Sequence, residues 1–383
     1  MSSEPVIAID ELVEQTGLPE TVEAILEPVG ETTPAGCDLR EDDNLVHEYY
    51  RLRDVRTTNR NREREAITEA NGDHFRPRDW QPLVDGIPPV LRAQSKDAEL
   101  TAWLIEALTR LHGFAGAALG FHIAARLIEH YGEALYPTPD DDGVATQLAA
   151  LAGLNGLGTE GALITPLKSL PLTQGSDPGP FSTWECEQAF ELARLSDADK
   201  RASRSQRGYV TTEAVDEAIA QTETDFLRAK RVNLQAAIAE FERYRAALDD
   251  YVPDDPQPTS RLESTLDGCL RTLNYIAGER LADEPAPQPT AAPDDTAAES
   301  GDNGAPEQAA SGQIADREAA LQQLREIARF FRRTEPHSPI SYSIEQVVRW
   351  SELSLPELIQ ELIPDEGARS NYRTLTGIQS REE

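Results

Sequence analysis

The histidines and cysteines are the residues of this chain best suited to hold a metal or attack a substrate. His112, His122 and His130 fall in one helical region at separations of ten and eight residues, whereas a helix-borne zinc pair uses i and i+4. We therefore expect core or helix-surface histidines. The cysteines (Cys37, Cys186 and Cys269) are too far apart for a disulfide framework or a metal spacing. They are expected to be small, half-buried thiols in a reducing compartment, and no metal site is predicted.

Two short motifs resemble ligand loops but lack the required context. The segment from Gly156 to Gly161 matches G-x-G-x-x-G, but it follows a predicted helix, whereas a dinucleotide fingerprint follows a strand. The acidic turn from Asp140 to Gly143 would need Asp at 138 and Glu at 149 to bind calcium, and those positions are Thr138 and Ala149. The sequence holds no phosphate-binding G-x-x-x-x-G-K-[ST] and no G-x-S-x-G nucleophile motif. We predict no cofactor and no catalytic site.

The charge balance restricts the partners. The chain has 68 Asp and Glu against 36 Lys and Arg, a formal net charge of −32, which disfavours nucleic acid and anionic membrane surfaces as partners. Four of the 36 basic residues are lysines and the rest are arginines. A salt-adapted host would explain an acidic surface with so few lysines, and a genome that favours Arg is the alternative explanation. We find no uninterrupted apolar run of membrane-spanning length and no signal peptide. A cytoplasmic protein is expected.

The hydrophobic pattern predicts a mainly α fold of multidomain helical bundles. Apolar residues from Leu100 to Leu111 recur at i, i+3, i+4, i+7, glycines at 113 and 116 interrupt the pattern, and a second helix resumes as far as Tyr131. Gly113, Gly116 and Gly120 are expected to permit close helix contact. A charged helix is also predicted over residues 45–70. Capped helices are predicted to begin at Ser182 and Ser260, and two further helices at Thr212 and Thr224. Residues 162–172 are predicted as a small β excursion. Pro166 and Pro171 would limit its pairing to the edge of a sheet.

The region after residue 282 has a different composition. Residues 283–313 hold five prolines, seven acidic residues and no Lys or Arg, which is typical of a disordered acidic linker. Short helices are expected beyond it, too small to bury much surface alone, and this favours self-association. We therefore divide the chain into 1–175, 176–282, 283–313 and 314–383. The predicted oligomerisation residues of the last, C-terminal helical domain are Leu321, Leu324, Ala328, Phe330, Phe331, Val347 and Trp350.

Several motifs together resemble the TssA family of type VI secretion, whose members carry an ImpA N-terminal domain. The motifs are Pro28-Val-Gly30, Pro34-Ala-Gly-Cys-Asp-Leu-Arg40, Asp79-Trp80, Ser95-Lys-Asp97, Trp103-Leu-Ile-Glu-Ala-Leu108, Gly113-Phe-Ala-Gly116, Tyr131 with Leu135-Tyr-Pro137, Pro166-Leu-Lys-Ser-Leu-Pro-Leu172, Ser196-Asp-Ala-Asp-Lys200, Gly208-Tyr-Val210, Arg329-Phe-Phe-Arg-Arg-Thr-Glu-Pro-His-Ser-Pro339 and Val347-Val-Arg-Trp350. One position departs from the family, since Gly132 stands where Trp is common. A family pocket at that position is therefore in doubt.

The resemblance implies a non-enzymatic assembly component of the short TssA class. Such a protein forms a ring through its C-terminal region, and it binds baseplate, tube and sheath proteins at the membrane-bound apparatus. A sheath-tip cap or chaperone is the first alternative, and a hydrolytic enzyme, which no motif supports, is the second. Candidate partner-binding residues are Trp80, Trp103 and the segment Glu335, Pro336, His337, Ser338 and Pro339. For the two tryptophans the alternative is core packing, and for the segment it is a rigid turn.

Overall fold

The computed structural model describes residues 7–69, 77–140, 143–156, 160–195 and 209–282, then 321–322, 324–325, 327–329, 332 and 340–351. The chain divides into two compact units, Met1–Pro289 and Thr290–Glu383. Over the described residues the fold is mainly α, as the sequence predicts, and these residues form isolated β-bridges but no sheet.

Over its described residues the first unit is a bundle of α-helices, with short 3₁₀ turns at Pro77–Trp80 and Gly132–Ala134. Its helices are α1 (Ile9–Thr16), α2 (Val22–Leu26), α3 (Val46–Glu69), α4 (Gln81–Ala93), α5 (Ala98–Tyr131), α6 (Ala145–Asn155), α7 (Ile164–Lys168), α8 (Thr183–Arg194), α9 (Thr212–Gln221), α10 (Thr224–Tyr251) and α11 (Ser260–Ala282).

Helix α5 reverses direction in its middle. Gly113 has φ 63° and ψ −137°, a conformation that only glycine adopts without strain. A Cβ at Gly116 would lie 2.0 Å from the Leu108 carbonyl oxygen, and one at Gly120 would lie 3.1 Å from the Cα of Ile105. Residues this far apart in one straight helix could not meet. The two limbs, 98–112 and 114–131, therefore form an antiparallel helical hairpin in which the small residues allow close contact.

The hairpin is the centre of the core. By length and composition, Ala98–Ala134 contains one window apolar enough to cross a membrane, but 78% of that window is buried inside the folded unit. The sequence prediction, which required an uninterrupted apolar run, does not identify it. The open ends of the limbs meet where Tyr136 N–H donates to the Lys96 carbonyl at 2.9 Å. We conclude that this apolar segment is the interior of a folded bundle.

Helix α10 packs along the hairpin through aromatic and polar contacts. The ring of Phe121 lies 5.2 Å from that of Phe241 and 5.6 Å from that of Tyr244. At the adjacent residues, His122 Nδ1 lies 2.7 Å from Glu240 Oε2. These contacts attach a helix from the second half of the unit to the first.

One hydrophobic core extends from Ile7 to Leu281, and a smaller cluster around Cys186 and Val215 lies between α8 and α9. The sequence leaves open whether residues 1–282 form one body or two, and in the structure position 175 does not separate two packed bodies. The Asn155 side chain of α6 accepts the backbone N–H groups of Arg261 and Leu262, thereby capping α11. Contacts of this kind join the two halves into a single unit.

The predicted β excursion at 162–172 is wrong. Residues Ile164–Lys168 form helix α7, and the extended pairing there is a single bridge between Pro171 and Ser182. Pro166 lies in the first turn of α7, where its missing N–H removes no intrahelical hydrogen bond. Proline at such a position is compatible with a helix start as well as with a sheet edge.

Candidate functional site: buried ion pairs around the hairpin

Arg40 lies at the centre of the first ion-pair cluster. Its Nη1 donates to Asp38 Oδ1 at 2.9 Å and to Asp97 Oδ2 at 2.8 Å, while its Nη2 donates to Glu99 Oε2 at 2.8 Å. The Tyr49 hydroxyl donates to the same Glu99 oxygen at 2.8 Å, and the Arg40 guanidinium lies over the Tyr49 ring. Residues from the loop before α3, from α3 itself and from the start of α5 are thereby joined.

Asp97 has two roles in this cluster. Besides its ion pair, its Oδ1 accepts the Leu100 N–H at 2.9 Å and caps the N-terminus of α5. Burial raises the pKa of Asp97, and the Arg40 guanidinium opposes that shift. Burial also raises the pKa of Tyr49 to about 12, with the Glu99 charge adding to the effect. The hydroxyl therefore remains a donor over the physiological pH range.

Lys96, next to this cluster, is a fully buried lysine. Its Nζ donates to the Ile25 carbonyl at 2.6 Å and to the Leu91 carbonyl at 2.7 Å, in the last turns of α2 and α4. Carbonyls at helix C-termini lack intrahelical partners and attract cations. Burial nevertheless lowers the pKa of Lys96 to about 8, partly opposed by Glu27. This amine joins the ends of two helices to the start of the hairpin.

Glu106 and Glu63 form the second cluster, where α3 crosses the first limb of the hairpin. Arg56 Nε and Nη2 donate to Glu106 Oε1 at 2.9 and 2.6 Å. Arg110 Nε and Nη2 donate to the two oxygens of Glu63 at 2.7 and 2.9 Å. The Trp80 indole N–H donates to Glu63 Oε1 at 2.8 Å, and the Arg110 guanidinium lies 4.2 Å from the centre of the Trp80 ring.

These clusters have the geometry of structural clamps. General acid–base catalysis requires a group that reaches a substrate, but the side chains of Asp97 and Glu106 are 0% and 1% exposed. Arg40 and the N-terminus of α5 hold the Asp97 oxygens, and Arg56 holds Glu106 Oε1. Glu106 Oε2 lies 3.7 Å from Arg110 Nη1 and accepts no hydrogen bond from the described residues. Among the described residues, no group of three His, Cys, Asp or Glu side chains is arranged to hold a metal ion. The two clusters fix α3 against α5, and Lys96 ties the C-terminal ends of α2 and α4 to the start of α5.

Trp80 and Trp103 are core residues, as the core-packing alternative predicts. Each is 1% exposed. Trp103 lies 5.5 Å from the ring of Tyr49 and under the Arg56 guanidinium. Neither ring is at the surface of the folded unit, so docking a partner directly is not their role there. The exposed aromatic side chains lie elsewhere, at Trp184 and Tyr275 among others.

The position that departs from the family is filled by a neighbouring ring. Gly132 has φ 42°, and a Cβ there would lie 3.4 Å from the ring of Tyr251. The Tyr251 hydroxyl donates to Gln147 Oε1 at 2.7 Å, and the Gln147 amide donates to the Leu135 carbonyl at 2.8 Å. A tyrosine from α10 thus packs against the glycine at which the resemblance implies a tryptophan.

The second unit contains part of the predicted oligomerisation surface. Leu321, Leu324 and Ala328 are helical, with Ala328 buried and both leucines half-buried. A further helix, α12 (Ile340–Trp350), begins three residues before the cap predicted at Ser343. In α12 Val347 is 48% exposed and Trp350 is half-buried. Phe330, Phe331 and the segment Glu335, Pro336, His337, Ser338 and Pro339 lie outside the described residues.

Among the described residues, Arg332 joins the two helical segments of this unit. Arg332 Nη1 donates to Glu345 Oε1 at 2.9 Å, and its guanidinium lies 5.1 Å from the centre of the Tyr342 ring. Ala328 and Val348 are the buried apolar residues of this unit among those described. The apolar side chains around them remain partly exposed.

Arg40, Lys96 and Asp97 are the site residues for which sequence reasoning assigned no role. They entered only as members of the family motifs. The chain has four lysines, and Lys96 is placed between two apolar helices. This placement is a signal that could have identified Lys96 as a buried residue. No local pattern shows that Arg40 and Asp97 meet, because 57 residues separate them.

The chain was compared with known families, curated proteins and solved structures. Residues 26–156 match the model of the N-terminal ImpA domain of the type VI secretion system. The type VI secretion system component TssA1 of Pseudomonas aeruginosa is 26% identical over 79% of this chain and 85% of its own length. The solved N-terminal domain of the TssA component of Burkholderia cenocepacia, which includes the ImpA region, shares the fold at TM-score 0.58 and 24% identity. That structure matches over 69% of this chain and 96% of its own length. These similarities confirm the resemblance to the TssA family predicted from the motifs, with the ImpA N-terminal domain matched at residues 26–156.

Proposed function

We propose that this chain is a non-enzymatic assembly component of a type VI secretion system, which acts as a scaffold at the baseplate when tube and sheath polymerisation begins. The similarity to TssA1, which extends over most of both chains, carries the proposal. The charged groups inside the first unit support it, because they are committed to holding helices together. We further propose a cytoplasmic protein that is recruited to the membrane-bound apparatus.

In this proposal the second unit assembles the protein into a ring. Leu321 and Leu324 leave apolar surface uncovered on one helical segment, and Val347 does so on α12. A unit with this little buried apolar surface gains stability by self-association. A ring of such units would present many copies of the first unit and raise their effective concentration at a symmetric baseplate.

The oligomeric state of the purified full-length chain tests the ring. We expect native mass spectrometry to show a discrete oligomer for the wild type, and Leu324→Asp to dissociate it because a charge would be buried between subunits. Gln322→Asp, an exposed position on the same segment, adds the same charge and should leave the oligomer intact. A monomeric wild type, or an intact Leu324→Asp oligomer, would contradict the proposed interface.

The baseplate role needs a test in cells. A fluorescent fusion of the full chain should form foci at the membrane-bound base before the sheath extends, and it should co-purify with baseplate proteins. Foci that travel with the distal end of the growing sheath would support the sheath-tip cap or chaperone instead. Loss of foci in the Leu324→Asp variant would connect ring formation to recruitment.

A further inference from the structure

Helix α3 carries a line of arginines that contrasts with the net charge of −32. Arg53, Arg56, Arg60 and Arg64 recur at i, i+3, i+7 and i+11, which places them along one face of the helix over about 16 Å. We call these four residues the arginine row. The α3 carboxylates of Asp54 and Glu65 are about 100° or more away around the helix axis, so they do not lie within the row.

The carboxylates beneath the row are already engaged. Glu106 accepts both hydrogen bonds from Arg56, and Glu63 accepts those of Arg110 and Trp80. Arg56, Arg60 and Arg110 place three guanidinium groups around these two carboxylates. Positive charge is therefore in excess at this crossing of α3 and α5.

Arg60 shows this excess most clearly. Its Nε lies 3.8 Å from Glu106 Oε2, too far for a hydrogen bond, and its guanidinium donates no hydrogen bond to any described residue. Its side chain is 24% exposed. Burial lowers the pKa of Arg60, the Glu106 charge opposes that shift, and the charges of Arg56, Arg64 and Arg110 add to it.

Arg53, two turns before Arg60, reaches further into solvent. Its guanidinium lies 4.6 Å from the centre of the exposed Tyr50 ring, which holds the side chain in place. Among the described residues it has no carboxylate partner. The two arginines thus present unused donors on the same face, about 10 Å apart along the helix.

We propose that the arginine row binds an acidic segment of a partner protein, with Arg53 and Arg60 receiving its carboxylates. A guanidinium binds a carboxylate through two parallel hydrogen bonds, and a spacing of seven residues on α3 suits two carboxylates two helical turns apart on the partner. A short acidic peptide fits better than nucleic acid, because the highly negative chain repels an extended polyanion. The surface does not depend on the scaffold role proposed above, since binding is measured on the purified chain.

The test measures fluorescence anisotropy of a labelled alanine-based helical peptide, with Glu at every seventh position, on the full-length protein at low ionic strength. We expect saturable binding that weakens as salt is added, and no binding of the matching Gln and Ala peptide. Arg53→Gln and Arg60→Gln should each weaken binding about tenfold. Arg92→Gln removes the same charge from an exposed arginine paired with Glu20, and it should leave affinity unchanged.

Three results would overturn the proposal. The acidic peptide could fail to bind, or it could bind all four proteins equally. A single-stranded oligonucleotide of equal charge could bind more tightly and lose affinity with the same two variants, which would identify a phosphate-binding surface. Thermal melting followed by circular dichroism checks that each variant folds. Arg53 has no ion pair within the described part of the chain, so we expect unchanged melting for Arg53→Gln. Arg60→Gln loses a 3.8 Å ion pair with the buried Glu106, so it should melt slightly lower but remain folded.

Discussion

Replacing Gly116 by alanine tests the close contact inside the helical hairpin. The new Cβ would lie 2.0 Å from the Leu108 carbonyl oxygen, about 1 Å inside the shortest separation that real structures show, so the two limbs would have to move apart. Overpacking a core costs about 1–3 kcal/mol or more, and here the obstacle is backbone that cannot rotate away. We expect a loss of roughly 4 kcal/mol, which for a unit of this size lowers the melting temperature by about 10 °C.

Other glycines supply graded controls for the same substitution. Gly120→Ala would bring its Cβ to 3.0–3.1 Å from Ile105, and we expect a loss of about 1–2 kcal/mol. Gly278→Ala and Gly153→Ala, in α11 and α6, meet nothing within 4 Å. Each should gain about 0.5–1 kcal/mol from the higher helix propensity of alanine.

Urea unfolding followed by tryptophan fluorescence measures the series, since Trp80 and Trp103 are buried in this unit. Thermal melting by circular dichroism gives the second measure. The expected order of stability places the two control variants above the wild type, Gly120→Ala below it and Gly116→Ala lowest. If Gly116→Ala were as stable as Gly278→Ala, the hairpin contact deduced from the glycine positions would be refuted.

Three further changes test the buried charges. Asp97→Asn keeps an acceptor for the α5 cap but breaks the ion pair with Arg40, and we expect a loss of about 3 kcal/mol in urea unfolding; an unchanged midpoint would show that the pair adds nothing. Glu106→Gln leaves Arg56 and its neighbours without their shared carboxylate, and it should cost at least as much by the same assay. The pKa of Lys96 is lowered to about 8 from 10.5, so between these values the unfolded chain holds a proton that the folded chain has lost. The free energy of unfolding should then rise with pH across this window by up to ~3 kcal/mol, and Lys96→Met should abolish that rise while costing about 2–4 kcal/mol at pH 7.

Helices with a strong local signal could be predicted from the sequence. The apolar repeat from Leu100 to Leu111 marks the first limb of the hairpin, and the glycines after it mark the interruption. The capping box at Ser182 is formed as predicted, with Glu185 as its partner. These features depend on residues within a few positions of each other.

The rest depends on contacts that a local pattern does not encode. The short helices α1 and α2 were not predicted, because five to eight residues carry little periodicity and their stability comes from packing. For the residues of α7 the sequence predicts a β excursion, because Pro166 is compatible with both a helix start and a sheet edge. The ion pairs of Arg40 and the burial of Lys96 arise only when segments more than 50 residues apart meet.

The tight turn at Gly113 also affects how the chain folds. Ile105 and Gly120 are in contact, and only fifteen positions separate them in the sequence. Because this separation is short, closing the hairpin costs little loop entropy. Phe241 and Tyr244 reach the same limb from more than a hundred positions away, and that contact carries a larger entropic cost. The hairpin is thus suited to form early and to act as a folding nucleus on which α10 docks later. Mutations within the limbs should slow refolding, whereas those in α10 should mainly accelerate unfolding.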